Sequence, residues 1–394
     1  MKKLLPILVL IVLVPFAYAE IPARFFETTF EAGLSASNDY FPLSALYQNP
    51  LVIDFGAMAN ALPSDGFTLA AGETSEMGFN LRLSPKFRMG LFFGTEATGF
   101  ASLPQSLFAL ISQGNTLDQT YAGNLDTRGD IFAETGAWFG TRLFGVDLTV
   151  RPAYYVPILH IGNSSATYTV RSSSDGTTTA NVQATIPVYS AVPLNTPIDG
   201  NTALGNLLRS GGVDLTLGAE YPLLEWLTLG VDLVHIPIVL ATLNQRTEFQ
   251  SDFSLSMNDL MANYSSSSLY QTSQSSSTVS DTSSITVARP FELGTHAIFY
   301  PFSSPIVSLT PSVGIGIYDG TYMNAGLKTE LNLGNCLILY LSSQLLDRLW
   351  NQQVGLNLNL RLLELDFLVG SQSSDFKSSF DSGISATLGM KFGY

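Results

Sequence analysis

The chain has 394 residues, of which 46% are hydrophobic and only 13% are charged, and its 18 basic against 32 acidic residues give a net charge of −14. Disordered chains combine low hydrophobicity with high charge, so this composition excludes a disordered protein. The acidic balance also argues against a nucleic-acid-binding protein, whose affinity comes largely from Lys and Arg contacts to phosphates.

The N-terminus carries a predicted secretory signal over residues 1–19. Lys2 and Lys3 precede an apolar run, and Ala17 and Ala19 supply the small residues of a cleavage site. A buried N-terminal helix is the alternative. No later apolar stretch reaches the length of about 20 residues that a transmembrane helix needs. Since Cys336 is the single cysteine, no internal disulfide is possible. An exported, apolar chain without helical spans indicates a transmembrane β-barrel.

Residues 20–65 form the next predicted unit. They contain short apolar pieces of mixed pattern and the pair Asn49-Pro50, and they are too long for a simple tail. We expect this segment to fold into the barrel lumen as a plug or hatch, with Phe25, Phe26, Asn49 and Pro50 as its gate residues. A periplasmic extension, or an extra pair of strands beginning at Phe25, is the alternative.

Residues 66–394 are predicted to form the barrel itself, because apolar and polar residues alternate through many segments. In the last segment, Ile384, Leu388 and Met390 fall on one parity while the other parity is small or polar. Successive strand side chains point to opposite faces, so one face is apolar. The predicted strands are 66–72, 76–84, 87–99, 130–142, 145–160, 212–220, 225–241, 285–300, 305–318, 322–334, 336–346, 350–361, 362–372 and 380–394.

Charges on the polar parity separate a barrel from a soluble sandwich, because charges are costly in a dry core and tolerated beside lumen water. We therefore predict an all-β fold, a closed antiparallel transmembrane β-barrel of about 14 strands. The predicted lumen charges are Arg82, Asp147, Arg151, Asp214, Asp232, Lys328 and Arg361.

The predicted connections alternate in length, as expected for short periplasmic turns and long outer loops. The long outer loops are 100–129, 161–211 and 242–284. Within the second loop, residues 167–170 and 184–188 are also β-like, either as a hairpin or as two more spans, which makes 16 strands the alternative. Residues 265–284 are nearly pure Ser and Thr, which predicts an exposed loop tip.

The first outer loop contains a predicted apolar helix. Leu103, Leu107 and Ile111 follow helical spacing, and Phe108 adds a further apolar side chain. An exposed apolar helix is a liability unless it packs on the rim, enters lipid or contacts an apolar ligand. We therefore interpret Leu103, Leu107, Phe108 and Ile111 as a hydrophobic entry helix.

The sequence offers no catalytic, metal or cofactor site. His160, His235 and His296 are far apart and lack metal-ligand spacing, and no G-x-S-x-G motif occurs. Gly314-Ile315-Gly316 lies in a predicted strand with no helix after it, so it does not indicate a dinucleotide site. We expect neither an enzyme nor a bound cofactor.

With its signal, its segment before the barrel, its strands and its apolar first loop, the chain resembles the FadL-like outer-membrane transporters of hydrophobic compounds, in a spirochaete-type form. The resemblance implies a plugged barrel of fourteen strands in which ligand passes inward or laterally. Asn49-Pro50 resembles the Asn-Pro-Ala of the family's plug, but Leu51 replaces the Ala. No ligand contact is therefore transferred.

The C-terminal residues Met390 to Tyr394 resemble the terminal aromatic signal that the barrel assembly machinery reads, with Phe392 and Tyr394 as its aromatic members. The expected partners are this machinery, outer-membrane lipid and a hydrophobic small molecule. The expected location is the bacterial outer membrane.

Three functions follow as hypotheses from this organisation. The first is passive transport of hydrophobic or amphipathic small molecules, such as long-chain fatty acids, through a plugged barrel. The second is a general porin for small polar solutes. The third is a surface adhesin that displays the Ser-rich loop.

Overall fold

The computed structural model describes residues 24–46, 53–62, 66–162, 164–194, 199–257, 270–302, 304–318, 320–346 and 348–394. The predicted signal and the pair Asn49-Pro50 lie outside these residues. The described chain forms an antiparallel sheet of 18 strands, and its first strand pairs with its last. The prediction of a closed antiparallel β-barrel is therefore confirmed.

The strands are β1 Phe26–Asn38, β2 Phe67–Ser84, β3 Phe87–Leu103, β4 Thr120–Leu143, β5 Val146–Ile161, β6 Ser165–Ser172, β7 Thr178–Ser190, β8 Gly212–Leu224, β9 Leu227–Val239, β10 Ala241–Leu243, β11 Gln245–Met257, β12 Tyr270–Asp281, β13 Ile285–Val287, β14 Phe291–Phe299, β15 Val307–Ile317, β16 Thr321–Leu333, β17 Leu337–Leu346, β18 Leu349–Asn359, β19 Leu363–Ser373 and β20 Ile384–Gly393. The helices are α1 Leu43–Leu46, α2 Phe55–Ala61, α3 Gln105–Gln113 and α4 Gly200–Ser210, with a 3-10 turn at Ser378–Phe380. Among the described residues, no helix has both the length and the apolar character needed to cross a membrane.

The wall of the barrel is a ring of neighbouring strands. β1 to β5 pair in sequence, β5 pairs with β8, β8 with β9, and β9 with β14. From β14 each strand pairs with the next as far as β20, which returns to β1. Short turns lie at the end where β2 meets β3, and this end is the periplasmic one in outer-membrane barrels.

An upper tier of strands stands on one side of this ring. The first residues of β4 pair with β6, and the sheet continues through β7 and β11 to β12. Thus β7 sits above β8, β11 above β9, and β12 above β14. Each of these wall positions consists of two strand segments with an interruption between them.

The strand count differs from the primary expectation of fourteen. The segments that separated fourteen from the alternative of sixteen join the sheet as β6 and β7, in agreement with the larger count. The predicted strands 66–72 and 76–84 are one strand, β2. The sheet reaches 18 strands because β11 and β12 also join it. The Ser-rich segment is therefore a strand over Tyr270–Asp281 rather than a loop, and residues 271–280 are exposed as expected, while residues 265–269 lie outside the described residues.

The start of the predicted plug is also corrected. Phe26 belongs to β1, where it is the register partner of Leu81, and the Phe25 amide donates to the Tyr394 carbonyl at 2.7 Å. Both residues therefore lie in the wall at its periplasmic end. Residues 26–38 form a wall strand because their side chains alternate between the two faces: Phe30 and Leu34 face outward, and Glu31 faces the lumen. The alternative of an extra strand from this region is the better description of residues 26–38.

The apolar parity faces the outside of the barrel. Met77, Leu341 and Val354 are 46%, 60% and 58% exposed. On the inner parity, Asn357 is only 3% exposed and Ser342 only 6%. An apolar outer surface and a polar lumen are the arrangement that a membrane-spanning barrel requires.

Two helices and the top of β2 form an apolar cluster that we call the outer cap. Asp54 caps α2 by accepting the Ala57 amide at 2.9 Å. Phe108 of α3 is 5% exposed and lies 6.3 Å from the Phe55 ring and 6.0 Å from the Phe67 ring, measured between centroids. Because Phe67 opens β2 and pairs with Leu103 at the end of β3, the cap lies at the outer end of the lumen.

Candidate functional site

The upper tier and the wall are interrupted at two places where the chain turns into the lumen. Residues 240–244 link β9 to β11, and residues 282–290 link β12 to β14; β10 and β13 in these links pair with each other. We call the two links together the inward fold. Ala241 and Leu243 are 0% exposed and Val287 is 3% exposed. The inward fold is therefore packed inside the barrel and narrows the lumen.

Tyr155 of β5 connects the inward fold to the wall. Its hydroxyl donates to the Val287 carbonyl at 3.0 Å and accepts the Ala241 amide at 3.3 Å. Its ring, 1% exposed, lies edge-on to the Phe132 ring at a centroid distance of 6.1 Å. One side chain thus satisfies a backbone group on each strand of the small β10–β13 sheet.

Arg289 makes a second connection between the inward fold and the wall, through polar contacts. Its side chain is only 3% exposed. Its Nε and Nη2 donate to the two carboxylate oxygens of Asp214, both at 2.8 Å, and its Nη1 donates to Glu134. A paired fork of this kind is the strongest geometry for a guanidinium and a carboxylate. Arg289 therefore anchors the inward fold to β8 and β4.

The contacts continue along the inner face of the neighbouring wall strands. Arg151 Nη2 donates to Glu134 at 3.1 Å and to Glu76 at 2.5 Å, and the Arg151 guanidinium lies 3.6 Å from the centroid of the Phe92 ring. We call this series the ion-pair chain; it consists of Glu76, Arg151, Glu134, Arg289 and Asp214. It joins β2, β4, β5 and β8 to the inward fold. A buried charge whose partner is removed is strongly unfavourable, so these contacts hold the inward fold against the wall.

A cavity of about 420 Å³, which we call the outer cavity, lies at the outer end of the lumen. Most of its lining is small or apolar, including Ala70, Gly72, Phe100 and Leu349. Its basic residues are Arg128 and Arg348, and the Arg128 guanidinium lies 4.7 Å from the centroid of the Phe100 ring. Within the part of the chain that the structure describes, neither arginine forms a salt bridge.

A polar contact crosses the lumen beside this cavity. The Tyr318 hydroxyl donates to Asp130 Oδ2 at 2.5 Å, and His160 Nδ1 lies 2.7 Å from Asp130 Oδ1. Tyr318 follows β15, whereas Asp130 and His160 belong to β4 and β5 on another side of the ring. Asp130 is 5% exposed, and it lines the outer cavity together with Tyr318.

The predicted lumen charges are distributed over several contacts. Arg151 and Asp214 belong to the ion-pair chain. Asp147 accepts from Arg142 Nε at 2.8 Å, Asp232 lies 3.2 Å from His296 Nδ1, and Lys328 lies 2.7 Å from Glu330. Arg82 lies on the inner parity near the periplasmic end of β2.

Arg361 is a correction. Arg361 lies in the turn between β18 and β19, where its side chain is exposed and not in the lumen. Its φ of 72° allows the chain to reverse direction there. Three members of the ion-pair chain were not predicted from the sequence: Glu76, Glu134 and Arg289. The available signal for Arg289 was Pro290, since proline cannot donate to a sheet and marks a break in a strand.

The predicted entry helix is present as α3, which begins after Leu103 and Pro104. Phe108 packs into the outer cap, and Leu103 packs against the same cluster. Ile111 is 52% exposed. Leu107 is partly exposed and its amide donates to the Pro104 carbonyl at 3.0 Å. The helix therefore packs on the rim and presents part of its apolar surface to solvent.

Comparison with protein-family models finds no match, and no curated protein matches the sequence. Solved structures of similar shape include the TodX deltaS2S3 mutant monoaromatic hydrocarbon channel, at 8% identity and a TM-score of 0.49, with 97% of this chain and 92% of that chain covered. The Ralstonia pickettii toluene transporter TbuX has 8% identity, a TM-score of 0.46, and coverage of 94% and 90%. A Pseudomonas aeruginosa FadL homologue has 6% identity, a TM-score of 0.46, and coverage of 96% and 92%.

Proposed function

We propose that this chain is an outer-membrane channel for the passive uptake of small amphipathic molecules. The observation that carries the proposal is the outer cavity, which combines apolar and small lining residues with two arginines. A molecule with an apolar body and an acidic head, such as a fatty acid, fits this combination. Phe100 and Leu349 would contact the body, and Arg128 and Arg348 would bind the carboxylate.

We propose that the closure of the lumen has two parts. The outer cap covers the outer cavity from outside, so residues 53–62 and α3 act as the hatch that we expected from residues 20–65. The inward fold blocks the path below, and the ion-pair chain holds it. Passage then requires movement of the inward fold, since Arg289 joins it to two wall strands.

The remaining partners are also proposals. The side chains of Phe392 and Tyr394 are 54% and 74% exposed on the last strand, where assembly machinery could bind them before β20 pairs with β1. The apolar outer parity supports contact with outer-membrane lipid.

The test is uptake of radiolabelled dodecanoate by cells that lack their own transporters for it. The chain should support uptake, and the double variant R128Q/R348Q should slow it. Uptake of dodecanol, which has no carboxylate, should change less. R171Q is the matched control, because Arg171 lies in the upper tier, exposed and away from the outer cavity. Equal uptake by the double variant and by the R171Q control would contradict the proposed binding role of the two arginines.

A general porin is the second candidate, and the charged inner parity favours it. A porin would conduct ions steadily in a planar bilayer and would admit glucose at a rate unaffected by R128Q/R348Q. The proposed channel should instead show low conductance while the inward fold is in place. The two candidates are therefore distinguished by conductance of the unmodified chain.

A further inference from the structure

A second cavity lies at the periplasmic end of the lumen, and most of its lining is charged. It measures about 260 Å³ and is lined by Arg82, Pro85, Lys86, Arg88, Thr141, Arg142, Asp147 and Glu220. We call it the inner mouth cavity. The whole chain has 18 basic against 32 acidic residues, yet here four basic side chains meet two acidic ones. The local excess of positive charge is therefore opposite to the charge of the protein.

The acidic residues of this cavity already have partners. Asp147 accepts from Arg142 Nε at 2.8 Å, and Glu220 Oε1 lies 3.4 Å from His296 Nε2. Within the described ranges, the side chains of Arg82, Lys86 and Arg88 form no salt bridge. Three cationic side chains thus line one cavity without a salt-bridge partner in the described wall, and Asp147, which is already paired with Arg142, acts on Arg88 only at longer range.

Arg82 and Arg88 face each other directly. They are register partners across β2 and β3, and both lie on the inner parity. Like charges opposite each other on neighbouring strands repel, because their Cβ atoms are only about 5 Å apart. A Cβ at Gly140 would lie 3.6 Å from Arg88 Nε, so Arg88 extends along the inner face of β4 beside this glycine.

We propose that the inner mouth cavity binds a small oxyanion, a carboxylate or phosphate group, between Arg82 and Arg88. Each guanidinium offers a planar fork of donors that matches two oxygens of such a group, and the bound charge removes the repulsion between the two arginines. Lys86 adds a third positive charge at the rim. The Arg142–Asp147 pair also lines the cavity.

The same chemistry can come from three sources: the carboxylate of a solute that leaves the lumen, free inorganic phosphate, or the headgroup of an inner-leaflet phospholipid. The site is separate from the outer cavity, which lies at the other end of the barrel. A failure of the transport proposal would therefore leave it intact.

The experiment is isothermal titration of the purified full-length chain in a neutral detergent, with inorganic phosphate and with butyrate as probes. Saturable binding is expected, and R82Q/R88Q should weaken it at least about tenfold, because the charge-assisted hydrogen bonds of both guanidinium groups are lost. R82K/R88K keeps the charges and should retain part of the affinity. R171Q is the control for loss of one positive charge elsewhere. Heat-dependent gel migration checks that each variant is folded.

Binding of either probe in detergent supports a site for small oxyanions, and a preference for butyrate points to the solute as its source. If neither probe binds, the titration is repeated in nanodiscs with and without phosphatidylglycerol, by measuring retention of that lipid. Retention that depends on Arg82 and Arg88 identifies the headgroup as the ligand. No arginine-dependent binding in either setting overturns the proposal, as does equal binding by R82Q/R88Q and R171Q.

Discussion

The two sides of the barrel are built differently. From β15 to β20 each strand is one continuous segment that pairs with both of its neighbours. At the positions of β8, β9 and β14 the wall consists of two segments, and the inward fold separates the two segments at the positions of β9 and β14. The continuous side contributes Arg348 and Leu349 to the outer cavity, but it contributes no residue to the ion-pair chain. The interrupted side supplies Arg289, Tyr155 and Asp214, so the breaks in the strands are what bring chemistry into the lumen.

The largest expected effect comes from removing the anchor of the interrupted side. R289M leaves Asp214, which is 1% exposed, without its partner. Loss of one partner of a buried pair costs about 3–5 kcal/mol. We expect a lower urea midpoint of unfolding and higher conductance, as the inward fold is released.

K328M is the matched control on the continuous side, because its partner Glu330 is one-third exposed. It should shift the midpoint far less than R289M does. In the double variant R289M/D214N the uncompensated carboxylate is gone, so part of the lost stability should return. Equal decreases in the urea midpoint for R289M and K328M would show that ion pairs stabilise the two sides of the barrel to the same extent.

The continuous side is tested by its outer surface. Leu341 is 60% exposed near the middle of β17. L341R should destabilise the folded barrel by about 2–4 kcal/mol, because an arginine at the middle of the membrane meets hydrocarbon. The measurement is unfolding by guanidinium in lipid vesicles.

Gln344 lies on the opposite, inner parity of the same strand, so Q344R is the control. It places the same charge toward lumen water and should be tolerated. If both variants were equally destabilised, the outward orientation of the apolar parity would be wrong.

A smaller effect is expected at Tyr155. Y155F keeps the buried ring but removes the hydroxyl that contacts Val287 and Ala241. Two backbone groups lose a partner, so a loss of about 1–3 kcal/mol is expected. Amide hydrogen exchange should rise in β10 and β13 and stay unchanged in β16 and β17. Unchanged exchange in β10 and β13 would show that the Tyr155 hydroxyl does not stabilise the inward fold.

The smallest effect concerns the outer cap. D54A removes the side chain that accepts the Ala57 amide at the start of α2, a loss of about 0.5–2 kcal/mol. The cap should loosen while the barrel keeps its urea midpoint. Faster proteolysis near α2, with an unchanged midpoint, is the expected result; protease resistance equal to that of the unmodified chain would contradict it.

Sequence reasoning succeeded where the chain is regular. β15 to β20 alternate between apolar and polar residues, and all but β19 and β20 are joined by short turns, so the alternation and the turn residues predict the same strands. β2 was divided at residues 73–75 because Glu73 and Ser75 break the apolar parity, although the strand continues through them. The sequence predicts a plug over residues 20–65 from their short apolar pieces of mixed pattern, and the apolar parity of β1 is weakened by Thr28 and Asn38.

The candidate site was less predictable for a physical reason. Its contacts join residues that are far apart in the chain, such as Arg289 with Glu134 and Tyr318 with Asp130, and no local pattern encodes them. Arg151 and Asp214 were identified as lumen residues because parity alone is sufficient for that. Their partners depend on the path of the inward fold, and the alternation of apolar and polar residues does not predict that path.

The seam between β1 and β20 has a consequence for how the protein is made. These strands come from opposite ends of the sequence, and Thr28 Oγ1 donates to the Phe392 carbonyl across a separation of 364 residues. Until β20 has been synthesised, β1 has one exposed edge, and unpaired backbone groups in hydrocarbon are unfavourable. Insertion into the bilayer and closure of the seam must therefore be late and coupled events, and a chain shortened before β20 would remain an open sheet.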